Sequence, residues 1–445
     1  MKKPRASLTV ACETGKSAFS PSVVVQNIFA LLHAESVVYC VTHGYQDLPD
    51  SWGSDIDILV ERRLGSNSIA HALTRHRDKI GATVVCHDGS RIVLACGSVQ
   101  GIPQFIVLDI CHDIRFRSCV QLTGEQLLSQ RRFRNGLYVP STVSAFQIEL
   151  AKGIAKNRPD KKLGRRLDEL YSEDSLGIRT EISRRWPAKE AELLLVAAET
   201  GEWHTVALNS KWLTRALVIS LTRQAPGKLL GLLVADNMAR ITRILRPRGR
   251  HIVFLGPDGA GKSSTIEALV GGLSPLFSRT EVRGFAPSLR QLLRRPARST
   301  SSPHGHSTRS WPTSLLRAAY WCAYALATRV SLRWAKTRST LILNDRHFND
   351  VLVDPVRYRY GGPRWTLQIA SWLSPKPDLV ILLTGDPEVI QARKKELSVP
   401  ETARFCNAYA TLVNPLPYGR TVDTGKPFDI VVGSVVNAVM GTLDR

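Results

Sequence analysis

The stretch that most restricts how this chain can fold is IVFLGPDGAGKSST, residues 252–265. An apolar, β-branched run enters a turn containing Gly256, Gly259 and Gly261 and ending in Lys262 and Ser263. The spacing matches GxxxxGK[ST] in full, between a predicted strand and a predicted helix. The glycines let the backbone turn tightly and aim N–H groups at phosphate oxygens, and the helix that starts near Lys262 adds the positive end of its dipole. The expected nucleotide site is Gly256, Asp258, Gly259, Ala260, Gly261, Lys262, Ser263 and Ser264. Lys262 would reach the β- and γ-phosphates, and the Ser263 hydroxyl would ligate Mg²⁺, which makes ATP and Mg²⁺ the expected cofactors. Asp258 stands out, because a loop meant only to grip phosphate has no use for a carboxylate among its amides.

The pattern around this loop alternates strand and helix. HIVFL (251–255), TLILND (340–345) and DLVILLT (378–384) read as strands. Such alternation predicts an α/β domain with a parallel sheet covered by helices, its ligands beyond the carboxyl ends of the strands. Residues 1–140 mix strands and helices, with strands expected at 37–41, 55–60, 82–86, 91–95 and 105–110. Residues 141–245 carry apolar residues at helical spacing, as in 143–155 and 212–224, and Arg-Pro-Arg-Gly-Arg at 246–250 reads as a junction. Three regions follow: 1–140, 141–245 and 246–445.

The 445 residues carry a net charge of +22, which favours anionic partners: phosphorylated metabolites, nucleic acid or an acidic membrane surface. No apolar leader is seen at the N-terminus. The most apolar helical stretch, 315–332, is interrupted by Arg317 and Arg329, so no transmembrane segment is expected and the stretch reads as an amphipathic helix packed on a sheet. The eight cysteines show no CxxC spacing and read as reduced thiols, which suits the cytoplasm better than a zinc site.

Within this frame, GPDGAGKSST resembles the DGxGKSS loop of thymidylate kinases. Asp345-Arg346, after the strand LILN, resembles their DR motif, and PDLVILLTGDPEVIQARKK (377–395) resembles their strand, turn and basic lid helix. The resemblance implies that Asp345 helps to organise Mg²⁺ or the acceptor and that Arg346 grips the acceptor phosphate or the transferring group. Arg393 and Lys394 would lie in the lid and neutralise transition-state charge. Asp258, Lys262, Asp345, Arg346 and Arg393 are thus the expected catalytic set. After the DR pair the text departs from a thymidylate pocket. DRHFNDVLVDPVRYRYGGP (345–363) adds Asp350, Asp354 and the run Arg357, Tyr358, Arg359, Tyr360. Arginine with tyrosine suits a phosphorylated or polyhydroxylated ligand, while Gly361-Gly362 also suits a plain turn. This stretch resembles a subgroup of thymidylate kinase-like proteins that carry an added N-terminal domain and are often encoded among bacterial surface-polysaccharide genes. Residues 282–344 contain eleven Lys or Arg and no Asp or Glu. In this class of fold that segment approaches the acceptor, which puts Arg283 beside Arg357 and Arg359 on the acceptor side.

A second set of acids lies in HGYQDLPDSWGSDIDILV, 43–60. Asp55 and Asp57 are two apart on a predicted strand and share a face, and Asp109 stands in the strand FIVLDI. Three strand carboxylates can hold the two cations that nucleotidyl transfer requires. The pattern resembles the nucleotidyltransferase superfamily of DNA polymerase β, whose small glycine pair is replaced here by Gly44-Tyr45. That resemblance implies an α+β N-terminal domain with 141–245 as its helical companion and with Asp55, Asp57 and Asp109 as metal ligands. The function expected is ATP-dependent transfer of a γ-phosphoryl group to an anionic small molecule or glycan precursor. Thymidylate as acceptor, nucleotidyl transfer by the N-terminal domain, and nucleotide-gated binding of RNA or membrane are the alternatives.

Overall fold

The structure, a computed structural model, describes residues 19–156, 161–224, 226–284, 309–394 and 398–443. The chain divides into two compact units, one of Ser17–Gly97 and Phe105–Ile241, the other containing Ser98–Gln104 and Thr242–Arg445. Most of the basic, Ser/Pro-rich run at 289–310 and residues 395–397 of the lid-like stretch lie outside the described residues.

The first unit is built on a five-stranded sheet of order β1-β2-β5-β4-β3. Its strands are β1 (Tyr39–Val41), β2 (Ile56–Val60), β3 (Thr83–Asp88), β4 (Arg91–Val99) and β5 (Ile102–Cys111). All five coincide with runs rich in β-branched residues, which suit a pleated, half-buried surface. β1 and β2 are antiparallel, whereas β2 and β5 are parallel and place Asp57 opposite Asp109. Ile28, Tyr39, Ile58, Leu73, Ile92 and Ile106 fill the core under the sheet. Two short hairpins that the sequence pattern did not signal follow: β6 (Asp113–Phe116) with β7 (Cys119–Thr123), and β8 (Arg132–Arg134) with β9 (Leu137–Val139). The expected helices form as Thr142–Lys156 and Ser210–Gln224, and they share a separate core around Phe146, Leu170, Ile178, Leu194 and Leu213. The cysteines of the described residues are free thiols.

The second unit carries a parallel sheet of order β11-β12-β10-β13-β14, with helices packed against it. The strands are β10 (Arg250–Leu255), β11 (Arg279–Gly284), β12 (Thr340–Asp345), β13 (Leu379–Thr384) and β14 (Gly419–Asp423). β10, β12 and β13 are the three expected strands; Phe254, Leu343 and Leu382 within them have no exposed surface, as central strands of a covered sheet require. β11 and β14 were not expected. They are edge strands, RTEVRG and GRTVD, and edges are commonly charged. β10 lies between β12 and β13, so the chain leaves it first to one side and later to the other. That reversal opens a crevice at its carboxyl end, where the glycine-rich loop begins. This α/β arrangement is consistent with a phosphate-binding-loop NTPase fold. No helix of the described residues is long and apolar enough to cross a membrane.

Two histidines in this unit report on its folding. His251 in β10 is 2% exposed and His347 is 8% exposed. Burial pushes His251 down to about 3, helped by the neighbouring His347, and burial pushes His347 down to about 4. Both are therefore neutral when folded, while the unfolded chain takes up protons near the ordinary histidine value of about 6.5. Their contribution to stability is complete above that value and is lost as pH falls toward the folded values. Urea-unfolding midpoints of the second unit's transition should fall between pH 7.5 and pH 5 by more in the natural chain than in His251→Phe.

Candidate active site

The glycine-rich loop leaves β10 at Leu255 and is shaped by close approach. Gly256 has φ +140°, and a Cβ there would stand 2.2 Å from the carbonyl oxygen of Leu383 in β13. At Gly259, with φ +86°, a Cβ would stand 2.7 Å from the Ile390 carbonyl oxygen and 3.2 Å from Cβ of Lys394. Ala260 is fully buried, and Gly261 caps the helix Lys262–Gly272. Ser263 and Ser264 are exposed on its first turn. Lys262 is 5% exposed and its Nζ donates to the carbonyl oxygens of Gly256 (2.7 Å) and Pro257 (2.9 Å). Burial and the nearby Arg346 push its ammonium down to about 8, against the pull of Asp258. A buried ammonium folded onto its own loop is poised for a stronger, anionic partner.

Asp258 is the centre of the site. Its side chain is nearly buried, and its two oxygens accept from Arg346 Nη2 and from Arg357 Nη1. Lys262 Nζ lies 3.7 Å away. Three cations thus meet one carboxylate at the phosphate-binding loop. Arg346 follows β12 and takes the left-handed conformation, φ +79°, with its N–H donating to Phe254 O at 3.2 Å. A non-glycine residue held there is strained and needs surrounding contacts to keep it. Those contacts come from Asp350, which is 1% exposed. It accepts from Arg346 Nη1 (2.8 Å), Tyr358 OH (2.9 Å) and Tyr409 OH (2.5 Å). Burial works against the charge on Arg346, but Asp350 and Asp258 outweigh it and hold the guanidinium firmly charged. Burial and Asp350 push the Tyr358 and Tyr409 hydroxyls up, so both remain donors.

Asp345 ends β12 in register with Phe254 of β10. Its Oδ1 is buried and, among the described residues, has no hydrogen-bond partner. An orphaned carboxylate oxygen at the carboxyl edge of the sheet, with the Ser263 hydroxyl on the adjoining helix, fits the all-oxygen ligation that Mg²⁺ prefers.

The remaining expected residues are placed unevenly. Arg357 is drawn to the loop through Asp258, and its own N–H is held by Asp354 Oδ1 at 3.0 Å. Arg359 lies in a turn with φ +52°, its carbonyl accepting from Arg309 N at 3.2 Å. Tyr360 is buried and bonds to Thr366 and Pro363, so the tyrosines of the run are structural. Arg393 Nη2 donates to Thr424 O just beyond β14 (3.2 Å). Arg283, next to last in β11, is bonded to Glu281 (2.7 Å) and Ser331 (3.1 Å), and lines a cavity of about 40 Å³ shared with His251, Trp321 and Asn344. The hub role of Asp350 was not apparent in the sequence, and nothing in the sequence near Tyr409 marks it.

In the first unit Asp55, Asp57 and Asp109 do come together, with ligand oxygens all within 4.8 Å of one another. Burial pushes Asp109 up, and the charges of Asp57 and Asp55 add to the effect. Asp57 feels the same burial but ends below the usual carboxylate range. His43 Nδ1 lies 2.8 Å and Lys152 Nζ 4.0 Å from its Oδ2. Tyr45, which stands where a small residue was expected, is buried in the core and its hydroxyl accepts from Arg166 at 3.2 Å.

No family model matches the chain. It is similar to a probable metal transport system ATP-binding protein of Thermotoga maritima, 28% identical over 147 residues that make up 32% of this chain and 51% of that protein. It is also similar to the phosphonates import ATP-binding protein PhnC of Anaeromyxobacter dehalogenans, 31% identical over 183 residues, 36% of this chain and 35% of that protein. The chain therefore spans about half, or less, of the length of these curated relatives. Among solved structures it is similar to thymidylate kinase from Candida albicans, with 23% identity and a TM-score of 0.31, covering 42% of this chain and 90% of that one. Thymidylate kinase from Ehrlichia chaffeensis matches with 15% identity and a TM-score of 0.31, covering 43% and 100%. The two curated relatives are named as ATP-binding proteins, in keeping with a nucleotide-binding loop at Gly256–Ser263.

Removing the hub should be felt as lost stability. Asp350→Ala leaves Arg346 short of a buried partner and two tyrosine hydroxyls without an acceptor, and is expected to cost about 3–5 kcal/mol. Urea unfolding monitored by tryptophan fluorescence measures it.

Proposed function

We propose that the second unit is an ATP-dependent phosphotransferase that moves the γ-phosphoryl group to an anionic small-molecule or glycan-precursor acceptor. The observation that carries this reading is the convergence of Arg346, Arg357 and Lys262 on Asp258 at the phosphate-binding loop. Phosphoryl transfer asks a protein for positioning and positive charge more than for covalent chemistry, and this cluster is built from both. The loop amides and the start of the Lys262–Gly272 helix receive the triphosphate. Lys262 exchanges its two carbonyl acceptors for β- and γ-phosphate oxygens. Ser263 and Asp345 are the residues to hold Mg²⁺, which when bound neutralises charge between the β- and γ-phosphates. Asp258 and Asp350 hold the two guanidiniums in place, and Arg346 and Arg357 turn toward the transferring group and the acceptor's anion. The acceptor oxygen forms a bond to the γ-phosphorus as the bridging bond to the β-phosphate breaks, and ADP leaves with that electron pair. Lys394, which caps the helix Pro387–Arg393, borders the loop at Gly259.

A second reading is supported by the 4.8 Å cluster of Asp55, Asp57 and Asp109. In that reading the first unit transfers a nucleotidyl group, with Lys152 near the nucleotide phosphates.

Purified protein given Mg-[γ-³²P]ATP and Mg-[α-³²P]ATP in parallel, against thymidylate, sugar phosphates and polysaccharide precursors, separates the two. Label should move from the γ position. Lys262→Ala should lower the rate by about 10²–10³-fold, the usual effect of removing one preorganised group that stabilises charge, and Asp55→Ala/Asp57→Ala should leave it unchanged. Transfer from the α position that is lost in the double aspartate variant would instead assign the activity to the first unit.

A further inference from the structure

The helix Trp311–Thr337 is apolar on the wrong side as well as the right one. Its inner face buries Ser314, Ala318, Trp321, Ala325, Leu332 and Ala335. The opposite face should be polar in a helix that only covers a sheet. Instead Leu316, Ala323, Leu326, Ala327, Val330 and Trp334 share that face at helical spacing, all exposed. Leu316 is 74%, Val330 72% and Trp334 58% exposed. Between Arg317 and Arg329 the helix contains no charged residue. Single exposed apolar residues are ordinary, but a continuous stripe marks an interaction surface.

The neighbouring helix, Arg364–Leu373, repeats the pattern. Trp365, Ile369 and Trp372 lie at i, i+4 and i+7 and are exposed, Trp372 by 75%. Arg329 Nη2 donates to Trp372 O at 2.9 Å and ties the two helices together. The charged residues of the two helices are all cations. Lys336 turns inward to pair with Asp378 at 2.9 Å, whereas Arg329 and Arg333 are exposed beside the stripe, Arg338 follows with its guanidinium 4.8 Å over the Trp334 ring, and neither helix contains an acid.

We propose that this face docks on an anionic lipid bilayer, with the long helix lying in the plane of the headgroups. Charge selects the occupant. A second copy of the chain would bring one basic rim against another with no acid on either helix to pair it, which opposes a self-complementary interface. RNA would meet an uncharged centre where its phosphates need cations. A bilayer rich in acidic lipid meets both halves of the surface: arginines beside its phosphates, and Leu, Val and Trp at the level where amphipathic rings settle. At 1.5 Å per residue the 27-residue helix is about 40 Å long, enough to lie along the membrane, while its arginines keep it from crossing. The proposal stands apart from the chemistry at Asp258, because no residue of the stripe belongs to that cluster.

Vesicle flotation tests it with the full chain, using phosphatidylcholine vesicles with and without phosphatidylglycerol. The natural chain and Lys262→Ala should both float with the mixed vesicles and stay behind with neutral ones. Leu326→Glu/Val330→Glu should abolish flotation while its melting temperature and ATP binding stay at natural values, since both side chains point to solvent. Arg333→Gln/Arg338→Gln should weaken binding by roughly 10–30-fold, the effect of removing two cations from an acidic surface. Failure of the natural chain to float on mixed vesicles would overturn the proposal, as would undiminished flotation of Leu326→Glu/Val330→Glu. So would light scattering that finds a dimer converted to monomer by that variant, which would assign the face to a second copy. Salt-sensitive RNA binding lost in the same variant would assign it to nucleic acid.

Discussion

A single buried carboxylate organises the nucleotide-binding unit. Asp258 stands in a loop whose other groups are built for anions, and alone it would repel the phosphates the loop is shaped to hold. The structure resolves the conflict by surrounding it with Arg346, Arg357 and Lys262. A buried charge without a partner costs several kcal/mol, so each of these cations is tied to Asp258 as firmly as Asp258 is to them. The result joins three separate pieces of chain: the loop after β10, the residue after β12 and the turn at 354–360. With Asp350 also on Arg346, the three cations are held by carboxylates, so the cluster is a fixed network of opposite charges beside the loop amides.

The rest of the unit keeps this cluster in register. Parallel pairing brings the carboxyl ends of β10, β12 and β13 to one edge, and the close approach of Gly256 to Leu383 leaves no room for a side chain between loop and sheet. Asp350 then fixes Arg346 in a conformation that a non-glycine residue rarely adopts, with Tyr358 and Tyr409 filling its remaining acceptor positions. The first unit follows the opposite electrostatic logic. There three carboxylates crowd together, and only Asp57 has a base and an ammonium beside it. Excess negative charge of that kind suits a cation, whereas near Asp258 each carboxylate is matched by a cation. The chain's large net charge is also unevenly used. Part of it serves the phosphate site, and a further share rims an exposed apolar face on the helix that leads into β12.

Much of this was legible in the residues before any fold was known. The loop was readable because its chemistry is local: glycines, a lysine and a serine at fixed spacing do their work within one turn. The central strands were readable because burial on both faces demands unbroken apolar runs. β11 and β14 were not, because edge strands are paired on one side only and tolerate the charged, short sequences they have here. Asp345 and Arg346 were placed by their position after a strand. The distribution of the other arginines was hidden. Arg357 turns to Asp258, Arg393 to a carbonyl beyond β14, and Arg283 to a cavity away from the loop.

By itself, then, the sequence determined the phosphate-binding loop, the parallel sheet that carries it and the shared face of Asp55 and Asp57, because each depends on neighbours within a few residues or on a simple period. Only the tertiary structure decided which cations surround Asp258, that Asp350 and Tyr409 meet across 59 residues of chain, and that Leu316, Val330 and Trp334 on the outer face of the 311–337 helix are exposed. Those outcomes depend on which distant surfaces the packing brings together, and no local pattern records that. A helix with apolar residues on two faces reads in sequence like any buried helix, and only the positions of its neighbours show that one of those faces is left to solvent.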